Sequence, residues 1–239
     1  MTIQYDGSDF HGWQVQAKGR TVQGDIEDAL SVIYPDEKIT LIGAGRTDAG
    51  VHALGQAAHI KLPPKLSADE LQQALNGNLN QDVRIDKVDE VGDDFHTRFS
   101  ATAREYEYRL VKHFSPVTRN YTTPLKWEIH NKLLNECVEL LPGEHDFTSF
   151  CKAKAEVQNK ICIIYKAVWE DMGEKYVFKI RANRFLQHMV RYLVGTMLEV
   201  ARGRYKGENF QNLVDNSQSE AVVVRAAAKG LFLKKVYYD

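Results

Sequence analysis

The chain is 239 residues long, 44% hydrophobic and 26% charged, with a formal net charge of −1. That length can bury a sizeable core, as one large domain or as two subdomains of roughly 100 residues each. No run approaches ~18 uninterrupted apolar residues and residues 1–10 carry no basic leader, which argues against a helical membrane span and a signal peptide and predicts a cytoplasmic protein.

Thr2 to Tyr5 reads as a short strand, followed by a turn at Asp6-Gly7-Ser8 and an aromatic loop, Phe10-His-Gly-Trp-Gln14. Val22 to Tyr34 has helical spacing, with Ile26, Ala29, Leu30 and Ile33 on one face and Thr21 as N-cap. Lys38 to Ala44 and Ala57 to Leu62 predict strands on either side of Gly43-Ala-Gly-Arg-Thr-Asp-Ala-Gly-Val-His-Ala-Leu-Gly-Gln56, a segment with four glycines. Glycine at that density lets backbone approach a ligand closely, and it holds Arg46 and Asp48 on one turn. Thr-Asp-Ala-Gly alone is ordinary turn chemistry. A carboxylate beside a guanidinium in a shaped loop is also a candidate nucleophile with its charge partner. Ser67-Ala-Asp-Glu70 opens a capping box for a helix carrying Leu71, Leu75 and Leu79, and Val83 to Val91 returns as a strand.

The second half repeats the theme without a residue-level repeat. Ala103 to Lys112 alternates as a strand and places Tyr106 and Tyr108 on one face. Lys132 to Leu141 is helical, Ile161 to Glu170 and Lys175 to Arg181 form a hairpin around Asp171-Met-Gly173, Phe185 to Ala201 is a periodic helix, and Gly230 to Tyr238 closes as a strand. The fold class is therefore α+β: two similar halves, 1–101 and 102–239, with antiparallel sheets joined in one continuous sheet because no low-complexity linker separates them. Sheet faces free for a ligand suit RNA.

Cys137, Cys151 and Cys162 are odd in number and lack Cys-x-x-Cys spacing, and no two histidines stand at His-x-x-x-His spacing, so neither disulfide nor metal is expected. Lys175 to Lys206 holds eight basic residues against one acid, Glu199, an asymmetry that suits a polyanion as well as a solvated helix face.

The string Gly45-Arg-Thr-Asp-Ala-Gly-Val-His-Ala53 closely resembles the catalytic loop of the TruA family of tRNA pseudouridine synthases. The resemblance runs almost end to end, through Tyr5-Asp-Gly-Ser8 with Gly12-Trp-Gln14, Phe95-His-Thr-Arg-Phe-Ser-Ala-Thr-Ala-Arg104, Tyr106-Glu-Tyr108, His145-Asp-Phe-Thr-Ser-Phe150, Ala182-Asn-Arg-Phe-Leu-Gln-His-Met-Val-Arg191 and Gly230-Leu-Phe-Leu233. One departure is that only Met1 to Gln4 precede the Tyr-Asp-Gly block, where the family usually has a longer, basic first strand.

The resemblance implies the pseudouridine synthase fold with helices on one face of the sheet, and an isomerase that converts uridine to pseudouridine at positions 38, 39 and 40 of the tRNA anticodon stem and loop. It makes Asp48 the nucleophile, Tyr106 a residue that stacks on the target base, and Arg46 one that holds or replaces the extruded nucleotide. It makes Arg191 an ion-pair partner of the nucleophile, and a guanidinium there would keep a desolvated carboxylate charged. Leu231 becomes an apolar wall of the base pocket. The reaction it implies needs no cofactor, and family members act as homodimers with one tRNA across both subunits. By its residues alone Tyr108 is a half-buried sheet tyrosine, and Arg191 at an apolar helical edge could instead snorkel to water.

Two other readings stand beside this one. A non-catalytic α+β RNA-binding protein would use the basic stretch and aromatics as a platform. An anion nest at Gly43 to Gly50 is disfavoured because Asp48 would repel the anion and no Gly-Lys-Ser/Thr follows.

Overall fold

A computed structural model gives the structure of the chain and describes residues 1–152, 158–218 and 221–238. They form two compact α+β units, Met1–Thr102 with Phe232–Asp239, and Ala103–Leu231.

In the first unit β1 (Thr2–Tyr5) leads to α1 (Val22–Ile33), which starts where Thr21 Oγ1 accepts the Gly24 N–H at 3.2 Å. Ile26, Ala29 and Leu30 are buried, as the helical spacing predicts, while Ile33 at the last turn is only half-buried. β2 is the two-residue Ile42–Gly43, far shorter than the strand expected from Lys38. The backbone before it finds partners on α1 instead: Leu41 N–H donates to Glu27 Oε1 at 2.9 Å, and Gln23 Nε2 donates to Leu41 O at 3.1 Å. Groups satisfied by helix side chains leave no ladder for a strand to extend.

β3 (His52–His59) begins five residues before the expected Ala57, so the loop shrinks from Gly43–Gln56 to Ala44–Val51. Gly55 looks like a loop residue in sequence but is a strand residue under close approach, since a Cβ there would lie 2.7 Å from Lys234 O. α2 (Ala68–Asn78) opens on the full Ser67–Glu70 capping box and buries Leu71 and Leu75, and β4 (Val83–Lys87) follows. The Ser67 N–H and hydroxyl hold the Glu70 carboxyl below its usual range. β1 lies between β4 and β3, antiparallel to both, with Tyr5 opposite Val83 and Ala53.

The second unit is built on β5 (Ala103–Val111), with β6 (Thr123–Pro124) parallel beside its end, then α3 (Asn131–Glu139) and β7 (Gly143–Asp146). β8 (Ile161–Asp171) and β9 (Lys175–Ala182) form the expected hairpin, turned by Gly173 at φ +79° with its N–H on Asp171 Oδ1 at 2.9 Å. The sheet order is β5-β9-β8-β7, antiparallel throughout. α4 (Met189–Ala201) starts four residues after the expected Phe185, because His188 takes φ 67°, which a continuing right-handed helix excludes.

α5 (Gly207–Asp215) is a helix beyond those expected from sequence, and Phe210, Leu213 and Val214 have the i, i+3, i+4 spacing that buries one face against α3 and α4. Phe147, Phe150, Phe178 and Phe210 are fully buried in this unit. Its three cysteines are buried free thiols, and burial pushes Cys137 up to about 12 and Cys162 to about 11, so both stay protonated packing residues. β10 (Leu231–Tyr237) brings the chain back to the first unit, where Phe232 and Leu233 run parallel to His52 and Ala53 of β3.

Candidate active site

The Ala44–Val51 turn is held by the aromatic loop that follows β1. Trp13 N–H donates to Thr47 O at 3.1 Å, Gly50 N–H to Phe10 O at 3.3 Å, and Val51 N–H closes onto Asp48 O at 3.1 Å. From β3, Ala57 O accepts the Ala44 N–H at 2.8 Å, and Gln56 Nε2 donates to Gly45 O at 2.9 Å. Tyr5 and Thr47 join their hydroxyls at 2.8 Å. Contact is so close that two glycines are obligatory by space alone. A Cβ on Gly7 would meet Val51 O at 2.0 Å, and one on Gly43 would meet the Trp13 ring at 2.6 Å.

This frame fixes the two charged residues. Asp48 is half-buried, Arg46 is exposed, and Thr47 between them is buried. The Arg46 guanidinium makes no hydrogen bond or ion pair among the described residues, which leaves it available to a ligand. His52 closes the turn on its far side: buried and stacked on Phe232 at 4.6 Å, it accepts the Gly7 N–H on Nδ1 at 3.0 Å, with Asp6 Oδ1 3.1 Å from the same nitrogen. Tyr5, Gly7, Trp13, Thr47 and His52 carried no assigned role in sequence. The signal for Tyr5, Gly7 and Trp13 was the glycine spacing around the aromatics of residues 5–13, and Thr47 and His52 stand in the same string as Asp48.

In the second unit Tyr106 lies mid-strand on β5, opposite Ile180, half-buried, with Phe185 edge-on at 5.0 Å and 84°. Tyr108 is wholly buried; its hydroxyl donates to Ala227 O at 2.9 Å and meets Thr123 Oγ1 at 2.8 Å, and burial pushes it up to about 12. That is the structural tyrosine of the pair.

Arg191, in the first turn of α4, does not snorkel. It is 9% exposed, and its Nε donates to Ala226 O at 2.8 Å while its own carbonyl accepts the Ala226 N–H at 3.0 Å. Arg191 and Tyr108 thus hold consecutive carbonyls, Ala226 and Ala227, of the segment that ends in the 3-10 turn Ala228–Gly230 and delivers Leu231, which is buried. Asp48 and Arg46 share one turn of the first unit; Arg191 and the approach to Leu231 are tied together in the second.

The basic stretch is less uniform than its sequence. Lys179 is paired with Glu170 at 2.7 Å, and Arg202 is paired with Glu199 and lies 3.9 Å over the Trp127 ring. Arg204 and Lys206 are exposed and make no ion pair among the described residues. Among the described residues no three His, Cys, Asp or Glu side chains cluster as metal ligands, and no helix is long and apolar enough to cross a membrane.

Residues 1–100 and 137–239 match the family model described as tRNA pseudouridine synthase. The tRNA pseudouridine synthase A of Bacillus pumilus (strain SAFR-032) is 38% identical over all of this chain and 98% of its own length. Those of Anoxybacillus flavithermus (strain DSM 21510 / WK1) and Brachyspira hyodysenteriae (strain ATCC 49526 / WA1) are 39% and 40% identical, again over all of this chain and 97% of each relative. With matches of that extent, and with the pinned Asp48 turn among the matched residues, the chain belongs to the family of tRNA pseudouridine synthases, which are isomerases acting on tRNA.

Proposed function

We propose that this protein isomerises uridine to pseudouridine at positions 38, 39 and 40 of the tRNA anticodon stem and loop, with Asp48 as nucleophile. The observation that carries the reading is the Ala44–Val51 turn, which holds one half-buried carboxylate on a backbone bonded at Thr47, Asp48 and Gly50. The N1–C1′ bond breaks and a C5–C1′ bond forms, the C5 hydrogen leaves to water, and N1 takes up a proton. No group or electron enters, so a covalent catalyst and residues that hold the base suffice without a cofactor. Asp48 attacks C1′ of the sugar or C6 of the base.

Arg46, exposed beside Asp48, holds the extruded nucleotide; Tyr106 stacks on the target base, for which its half-buried ring is suited. Arg191 keeps the role the resemblance gives it, maintaining the catalytic carboxylate in its charged form, and Leu231 is an apolar wall of the base pocket. The working form is a cytoplasmic homodimer with one tRNA across both copies, which doubles the basic surface of a chain of net charge −1.

Release of tritium from tRNA labelled at uracil C5 tests the reading, because this isomerisation exchanges that hydrogen without losing the base. Stoichiometric release with tRNA of unchanged length is expected. Tight tRNA binding with no release would favour a non-catalytic RNA-binding protein.

A further inference from the structure

Thr47 separates the two charged residues of the proposed site, and burial alternates along them: Arg46 exposed, Thr47 buried, Asp48 half-buried. An inward side chain at the middle position sets the rotation of the turn and so the direction of both neighbours. What holds Thr47 inward is visible. Its hydroxyl lies 2.8 Å from the hydroxyl of Tyr5, which is buried on β1, and its carbonyl accepts the Trp13 N–H at 3.1 Å. The Trp13 and Tyr5 rings stand 6.1 Å apart, so the residues that hold the side chain and the backbone of Thr47 are neighbours.

We propose that Tyr5 is a positioning residue for Asp48, acting through the hydroxyl of Thr47. This rests on Asp48 being the nucleophile and extends it to a residue outside the reacting group. Backbone bonds fix the path of the turn, but a path can keep its shape and still rotate. The Tyr5–Thr47 bond opposes that rotation from a buried strand of the sheet. Covalent attack depends steeply on alignment, and a misplacement of about 1 Å can cost about 10²-fold.

Tyr5→Phe removes one oxygen and keeps the ring. The expected result is a single-turnover rate at saturating enzyme lowered roughly ten- to a hundredfold, with the tRNA Kd unchanged. Thr47→Val should match it, and Thr47→Ser, which retains the hydroxyl, should stay within a few-fold of wild type. The double variant Tyr5→Phe/Thr47→Val should be no slower than the slower single, because both changes delete the same bond.

A wild-type single-turnover rate for Tyr5→Phe, losses that multiply in the double variant, or a tRNA Kd that rises as much as the rate falls would each overturn the proposal. Asp48→Asn in the same assay separates it from the reading beneath it. Turnover by Asp48→Asn overturns both, whereas an inactive Asp48→Asn beside a fully active Tyr5→Phe overturns this proposal alone.

Discussion

Gly12 stands in backbone contact with Thr47: its φ is +100°, and a Cβ added to it would lie 2.6 Å from the Thr47 carbonyl oxygen. The Thr47 carbonyl also receives the N–H of the next residue, Trp13. A glycine outside the Ala44–Val51 turn is therefore part of what gives that turn its shape. Gly12→Ala is expected to destabilise the protein by more than about 1 kcal/mol, from the left-handed backbone alone. Thermal unfolding should register that as a Tm lower by roughly 2–4 °C per kcal/mol. Turnover should fall further than tRNA affinity, since the displaced backbone bears Asp48.

Asp48→Asn should abolish tritium release while tRNA affinity stays within a few-fold, because the amide keeps the size of the carboxylate but not its anionic nucleophile. Residual activity above about one per cent of wild type would rule out Asp48 as the covalent catalyst.

Tyr106→Phe and Tyr106→Leu should separate. Tyr106 already packs edge-on against Phe185, so Phe keeps both that contact and a face for the base. Leu should lose about 1–3 kcal/mol of RNA affinity in direct binding measurements. Equal, complete inactivation by both with unchanged binding would make the hydroxyl the important group.

Arg191→Lys should not be conservative. Arg191 donates through Nε to Ala226 O, and the planar fork of a guanidinium makes directed bonds that one ammonium cannot reproduce. A large fall in the single-turnover rate is expected, with little change in tRNA affinity. A wild-type rate at saturation would reduce Arg191 to an anchor for residue 226.

Charge reversal at Arg204 or Lys206 should raise the tRNA Kd and flatten its dependence on salt, because both are exposed and without an ion pair among the described residues. Lys179→Glu and Arg202→Glu should act differently. Each places a second carboxylate against Glu170 or Glu199, so a lower Tm should accompany any loss of binding. Equal salt slopes for all four variants would contradict the distinction.

Local signals survived into the structure wherever the partner lies within a few residues. Thr21 and Ser67 cap their helices as their hydroxyls predict, and the Asp171–Gly173 turn joins its two strands, since each depends on a hydrogen bond spanning two or three positions. Where the outcome depended on distant partners the sequence misled. Lys38 to Leu41 is not a strand, and at its end Glu27 and Gln23 take the backbone groups of Leu41; Gly55 lies in β3 with Lys234 O close against it, not in a loop.

The sequence by itself determined the family, because the strings that contain Asp48, Arg46, Tyr106 and Arg191 are contiguous and need no folding to be compared. Only the tertiary structure decided what holds them. Tyr5 meets Thr47 across 42 residues, Gly7 faces the Val51 carbonyl, and Arg191 grips Ala226 from 35 residues away. Such contacts exist only once the chain has closed on itself, and close approach between backbones leaves no trace in a linear pattern beyond a glycine whose reason is elsewhere.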